Sequence, residues 1–214
     1  RSNHGGTSSC QTRLTANGNV LGPINAVCAR EMNGAFSDHT ALKPRDFLDG
    51  MGTTAMYAER ALGDRVGVQN NTGTYNLRTD MIVNAVTAAR TISTTAVHAQ
   101  FCEALSPPLI SGYSNMGRDL WPEGAYNHTF YNHVFTPNSR FPDCGFCNFQ
   151  DANTRACTNN VSRAIVTARS WHPGSVNVLM GDGSVRSVGD GVELSVWRAI
   201  GTRDSQEPID NTSF

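Results

Sequence analysis

The residues best placed to do chemistry stand near the C-terminus, in Trp171-His-Pro-Gly-Ser-Val-Asn-Val-Leu-Met-Gly-Asp-Gly-Ser-Val-Arg186. A histidine and a carboxylate in one segment invite a general acid–base reading. Their spacing argues against it. Nine residues separate His172 from Asp182. Asp182-Gly183 lies between two β-rich runs, Ser175–Met180 and Ser184–Val188. That is a strong hairpin signal, because both turn residues tolerate positive φ. A strand rises ~3.3 Å per residue, so the two side chains are expected roughly 25–30 Å apart. The expectation is therefore structural. Asp182 and Gly183 make the turn, Gly174 permits a bend beside Pro173, and His172 bonds locally. No catalytic residue is assigned.

Other groups give weaker signals. Asp182, Asp190, Glu193 and the pair Asp46 and Asp49 could supply hard oxygen ligands for calcium, but no Asp-x-Asp-x-Asp-Gly loop with its closing Glu is present. His128 and His133 could hold zinc together with a cysteine. There are six cysteines, Cys10, Cys28, Cys102, Cys144, Cys147 and Cys157. An even number in Gly-, Asn- and Thr-rich sequence reads as disulfides in an oxidising compartment. Cys10–Cys28, and Cys102 with one of the later three, are the expected pairs. Cys144-x2-Cys147 followed by Cys157 could instead be three-quarters of a zinc site. Disulfides are the favoured reading. No metal or cofactor is expected, with calcium kept open as the alternative. The sequence holds no Gly-x-Ser-x-Gly elbow, and no His-Glu-x-x-His, P-loop or Gly-x-Gly-x-x-Gly, so an enzyme is not expected.

These residues need elements to position them. The chain of 214 residues is long enough to bury a core. With 39% hydrophobic and 16% charged residues it is not a disordered, charge-rich chain. A net charge of -1 gives no electrostatic case for nucleic acid. No run approaches the roughly 18 apolar residues of a membrane span. Arg1 is not an initiator, so the chain is expected to be the remainder of a longer one. One domain is expected over residues 1–214, with an irregular segment at 1–33, a core at 34–205 and a tail at 206–214. Lys43–Leu48 reads as a helical turn stopped by Asp49-Gly50, and Thr53–Glu59 as a strand. The apolar spacing over Asn76–Leu105 predicts a helix with Asp80 in its first turn, weakened at 91–95 by a Thr-rich run. Residues 109–160 are loop-rich and aromatic. Trp121, Tyr126, His128 and His133 are the candidate binding residues there, although core packing under the loops is the favoured account of such aromatics. Ala164–Ala168 is a possible strand, and Gly191–Ile200 an amphipathic helix. The fold class is α+β, with an antiparallel sheet, a C-terminal hairpin and a short C-terminal helix.

Four blocks, in order, carry a resemblance. The first is Arg45-Asp-Phe-Leu-Asp-Gly-Met-Gly-Thr-Thr-Ala-Met-Tyr-Ala-Glu-Arg60, in which Asp46, Asp49, Gly50, Thr54 and Glu59 fit and Met51, Thr53 and Ala58 depart. The second is Tyr131-Asn-His-Val-Phe-Thr-Pro-Asn-Ser139, with Asn132, Pro137 and Asn138, followed by Cys144. The third is the His172-x9-Asp182-Gly183 segment, with Gly174 and Asn177 inside it. The fourth is Gly191–Arg203. Together they resemble the prepilin-type, pilin-like proteins of unknown function with a C-terminal His-x9-Asp-Gly signature, a group similar to the pseudopilin G of type II secretion.

The resemblance implies a pilin-like head that is non-enzymatic. Such a head is a structural or assembly subunit of a pilus- or pseudopilus-like filament, or a surface-anchored protein. The alternative is an extracellular ligand- or glycan-binding module displayed by the same kind of anchor. It also implies an apolar N-terminal helix outside this sequence. That helix would sit in the inner membrane before assembly and pack with its copies in a homo-oligomer or filament. The implied location is extracytoplasmic: cell surface, filament or periplasmic face of the inner membrane. Calcium binding by several pseudopilin heads is a further implication.

Overall fold

The computed structural model describes residues 2–3, 13–14, 20–21, 33–36, 41–62, 75–85, 95–105, 113–114, 129–147 and 161–206. In chain order the elements are β1 (Ser2–Asn3), β2 (Arg13–Leu14), β3 (Val20–Leu21), a 3-10 turn (Pro44–Asp46), β4 (Ala55–Ala58) and β5 (Met81–Ala85). There follow α1 (Thr95–Glu103), β6 (Tyr113–Ser114), β7 (Phe130–Tyr131), β8 (Asp143–Cys147), β9 (Val161–Ile165), β10 (Ser175–Met180), β11 (Val185–Gly189) and α2 (Leu194–Ile200). The fold is α+β, as expected.

Two sheets carry the structure. One has the order β11-β10-β4-β1-β7 and the other β6-β5-β8-β9, while β2 and β3 pair separately. Most neighbours are antiparallel, but β1–β7 and β5–β8 are parallel. The hairpin β10–β11 forms as read, in register from Ser175↔Gly189 to Leu179↔Val185. Its strand β10 alternates, burying Val176, Val178 and Met180. That period of two puts one face on the core. Gly183 closes the turn at φ +88°, where a side chain would be strained. The 3-10 turn and β4 stand within Lys43–Leu48 and Thr53–Glu59, as expected.

The predicted helix over Asn76–Leu105 forms only at its end. Met81–Ala85 is strand β5, and the helix α1 is Thr95–Glu103. The reason lies in Met81 and Ile82, which are adjacent and both buried. Met81 packs in the cluster of Ala55, Tyr131, Val166, Val178 and Trp197, and Ile82 in that of Cys102, Cys144, Val134 and Ile165. Adjacent residues that serve two different cores face opposite ways, which is strand behaviour. Asp80 sits in a turn before the strand, accepting from the Asn76 backbone N–H at 2.7 Å and the Thr79 hydroxyl at 2.9 Å. At the C-terminus, α2 buries Trp197, Ala199 and Ile200, with Trp197 and Ile200 in the first cluster. Among the described residues, no helix is long and apolar enough to cross a membrane.

Candidate functional site

The polar motif residues gather along β4 and β10. These strands are antiparallel neighbours, with Val178 opposite Ala58. Glu59 follows β4 and reaches Asn177 of β10. It accepts from the Asn177 backbone N–H at 2.9 Å and side-chain amide at 3.0 Å, and lies 3.2 Å from His172 Nε2. Burial alone would raise the Glu59 carboxyl, but the two Asn177 donors and His172 outweigh it and hold it below its ordinary value. His172 is 59% exposed and reads as the outer donor to this carboxylate. It belongs with Glu59, a partner that the spacing of the C-terminal segment alone did not point to.

Asp182 is elsewhere. It occupies the hairpin turn at the far end of β10 and accepts from the Ser184 hydroxyl at 2.7 Å and backbone N–H at 2.9 Å. Those donors hold its carboxyl below the usual range. His172 and Asp182 therefore form no dyad. Gly174, at φ +74°, turns the chain into β10, where its carbonyl accepts from Asp190 N–H at 2.9 Å.

Asp49 ties the two ends of the core block together. It accepts from Thr202 Oγ1 at 3.1 Å and from the backbone N–H groups of Ser205 at 3.1 Å and Gln206 at 2.5 Å. Gly50, at φ +94°, makes the turn beside it. Thr54 donates to Gly50 O at 3.0 Å. Asp46 accepts from the Lys43 N–H at 2.7 Å, capping the 3-10 turn.

The second block acts as a set of clamps. Asn132 donates to Ala164 O at 2.8 Å and accepts from Val166 N–H at 3.3 Å. Pro137 is buried, and Asn138 takes a positive φ of 50°. Asn138 donates to Asp190 at 2.7 Å and accepts from Ser170 N–H at 2.9 Å. Of the carboxylates considered for calcium, Asp46, Asp49, Asp182 and Asp190 each serve a separate turn or clamp, and Glu193 stands at the N-cap of α2.

His133 is not a loop residue open to ligands. It is 5% exposed and stacks on Trp197 with ring centroids 4.0 Å apart. Its Nδ1 must donate to Trp197 O at 2.7 Å, since a carbonyl only accepts, so Nε2 accepts from the Tyr131 hydroxyl at 3.0 Å. Burial pushes its pKa down to about 3. Gly201 passes so close that an added Cβ would come within 2.5 Å of the ring. The expectation of a zinc or binding role for His133 is therefore corrected: the ring is a core residue whose two nitrogens are already committed. Trp121, Tyr126, His128, Cys10, Cys28 and Cys157 lie outside the described residues, and Cys147 is placed on β8.

One constellation was missed in the sequence, and a second was read only in its cysteines. The first is a buried ion network around Asp143, at the start of β8. Asp143 accepts from Arg60 and from Arg169 at 3.1 Å, and Arg169 also donates to the carbonyls of Ser139 at 2.7 Å and Phe141 at 2.6 Å. Burial raises the Asp143 carboxyl, yet Arg60 and Arg169 more than reverse that and keep it ionised. Nothing in local sequence marks it, because its members lie far apart in the chain.

The second constellation is sulfur-based. Cys102 and Cys144 form a disulfide with Cα atoms 5.8 Å apart. It is one of the pairings expected for Cys102. His98 Nε2 lies 3.6 Å from Cys144 Sγ. All three residues are buried, and their potential ligand atoms lie within 4.8 Å of one another. Among the described residues this is the one group of three His, Cys or acidic side chains with that closeness. The i,i+4 spacing of His98 and Cys102 was the available signal.

Comparison with known proteins adds one finding of similarity. A family model described as protein of unknown function (DUF1559) matches residues 10–195. No curated protein and no solved structure matches the chain.

Proposed function

The chain belongs to the DUF1559 family of proteins of unknown function, and from that premise we propose that it is the non-enzymatic head of a pilin-like, pseudopilin G-like subunit. It would be displayed outside the cytoplasm on a filament or at the cell surface by an apolar helix. The observation that carries this reading is the use made of the motif residues. Asp49, Glu59, Asn132 and Asn138 all spend side-chain polar groups on the head's own backbone and, for Asp49, Glu59 and Asn138, on its own side chains as well. Motif residues employed in this way specify an architecture shared between heads, as an assembling subunit needs. The disulfide Cys102–Cys144 suits an oxidising, extracytoplasmic setting.

The experiment is negative-stain microscopy and membrane fractionation of the full-length protein, expressed with a prepilin-processing peptidase. Filaments or inner-membrane association are expected. A persistent monomer with neither would overturn the proposal. The alternative, a ligand- or glycan-binding module, keeps Trp121, Tyr126 and His128 as its candidate residues and gives up His133.

A further inference from the structure

The sulfur constellation carries chemistry that a structural disulfide does not need. α1 places His98 and Cys102 one turn apart on one helical face. β8 brings Cys144 up to them. Around the sulfurs stand Ile82, Ala99, Val134, Phe135 and Ile165, an apolar shell. Burying an imidazole in such a shell is costly unless its nitrogens are used. The His98 Nε2 is 3.6 Å from Cys144 Sγ. In a tetrahedral site with Zn–S ~2.3 Å and Zn–N ~2.0 Å, adjacent ligand atoms stand ~3.5–3.8 Å apart. The His98–Cys144 separation already has that value.

We propose that His98, Cys102 and Cys144 form a redox-gated binding site for a thiophilic d10 cation, Zn(II) or Cu(I). The oxidised pair has no thiolate to offer and excludes the ion. A dithiol reductant transfers two electrons and two protons to the disulfide, giving two thiols while the dithiol becomes a disulfide. The thiols then lose their protons as they bind the ion. Two thiolates and a neutral imidazole cancel the charge of Zn(II), which would complete its shell with water. Cu(I) is held by the same three soft ligands. Calcium and magnesium are rejected, because the site offers no oxygen ligand.

The test uses the full chain, reduced anaerobically with excess dithiol and desalted, then titrated with Zn(II) or Cu(I). Co(II) serves as a spectroscopic stand-in for thiolate ligation. The reduced protein is expected to hold one ion more than the Cys102→Ala/Cys144→Ala variant, which discounts the other cysteines. The oxidised protein should lack that ion. His98→Gln should weaken it by at least about tenfold, the loss that even an outer-shell partner causes. Equal metal content in the reduced protein and the double variant would overturn the proposal, as would unaltered affinity in His98→Gln. Should that variant fail to fold, peptide mapping after alkylation decides. Zinc protection of both Cys102 and Cys144 in the reduced wild type supports the site, and free alkylation of both in the presence of zinc refutes it.

Discussion

At the scale of single residues, His133 shows how a side chain that reads as a ligand can be a core residue. Its ring lies between Tyr131 and Trp197 and is neutral, with both nitrogens committed. The consequence is a pH dependence. The pKa is depressed from 6.5 to about 3 in the folded chain. The unfolded chain therefore takes up a proton near pH ~6.5 that the folded chain refuses, so stability is full above that pH and falls below it. Between pH 7 and pH 5 the loss should reach about 2 kcal/mol. Urea unfolding at both pH values checks it. His133→Gln should be less stable at pH 7 yet lose markedly less than wild type on going to pH 5. Equal losses in the two proteins would show that the ring protonates within the fold. The candidate site was legible in part at this scale. Asp182 and Gly183 were read correctly as turn residues, because an Asp-Gly pair carries its conformational reason with it. The Glu59–His172 contact was not legible, because it joins residues 113 apart in sequence.

At the scale of elements, local pattern was informative where an element answers to one core and misleading where it answers to two. The hairpin β10–β11 and helix α2 each bury one face, and their periods of two and about 3.6 were visible. Strand β5 was taken for helix because Met81, Ile82 and Ala85 fit helical spacing. Its state is fixed by parallel pairing with β8, from Met81↔Asp143 to Ala85↔Cys147, a long-range fact that no local window contains. Asp143 is where β8 is anchored. It meets Arg60 just beyond β4 and Arg169 beyond β9, so the network joins the two sheets. Removing its charge leaves two buried guanidinium groups uncompensated. Asp143→Asn should cost about 3–5 kcal/mol at pH 7, a large share of the roughly 5–15 kcal/mol typical of a fold. The sign with pH follows from the lowered carboxyl. Its stabilisation is present above pH ~4 and is lost as pH falls through the folded value. The variant should therefore show a flatter acid limb below pH ~4. Chemical unfolding across pH decides, and a cost under about 1 kcal/mol would mean that the network is not stabilising.

At the scale of the whole molecule, the proposed display of this head outside the cytoplasm would call for stability that does not rest on packing alone. Among the described residues several strands are only two residues long, and the buried apolar side chains fall into two clusters rather than one. The disulfide ties α1 to β8 across 42 residues, inside the second core, of which both cysteines are members. Chain-entropy arguments give a cross-link of that span about 4 kcal/mol. For a chain of this size, 1 kcal/mol corresponds to about 2–4 °C in Tm, so the Cys102→Ala/Cys144→Ala variant should melt about 8–16 °C lower. Comparing the variant with wild type, each with and without reductant, separates this bond from the remaining cysteines. Reductant should lower wild type by most of that difference and move the variant much less. A variant that melts with wild type would mean that the helix and the sheet hold each other without the bond. The same comparison bears on the metal proposal, since an ion that binds only the reduced fold must raise its stability in proportion to RT ln(1 + [L]/Kd). Zinc should then recover part of the lost Tm in reduced wild type and none in the double variant.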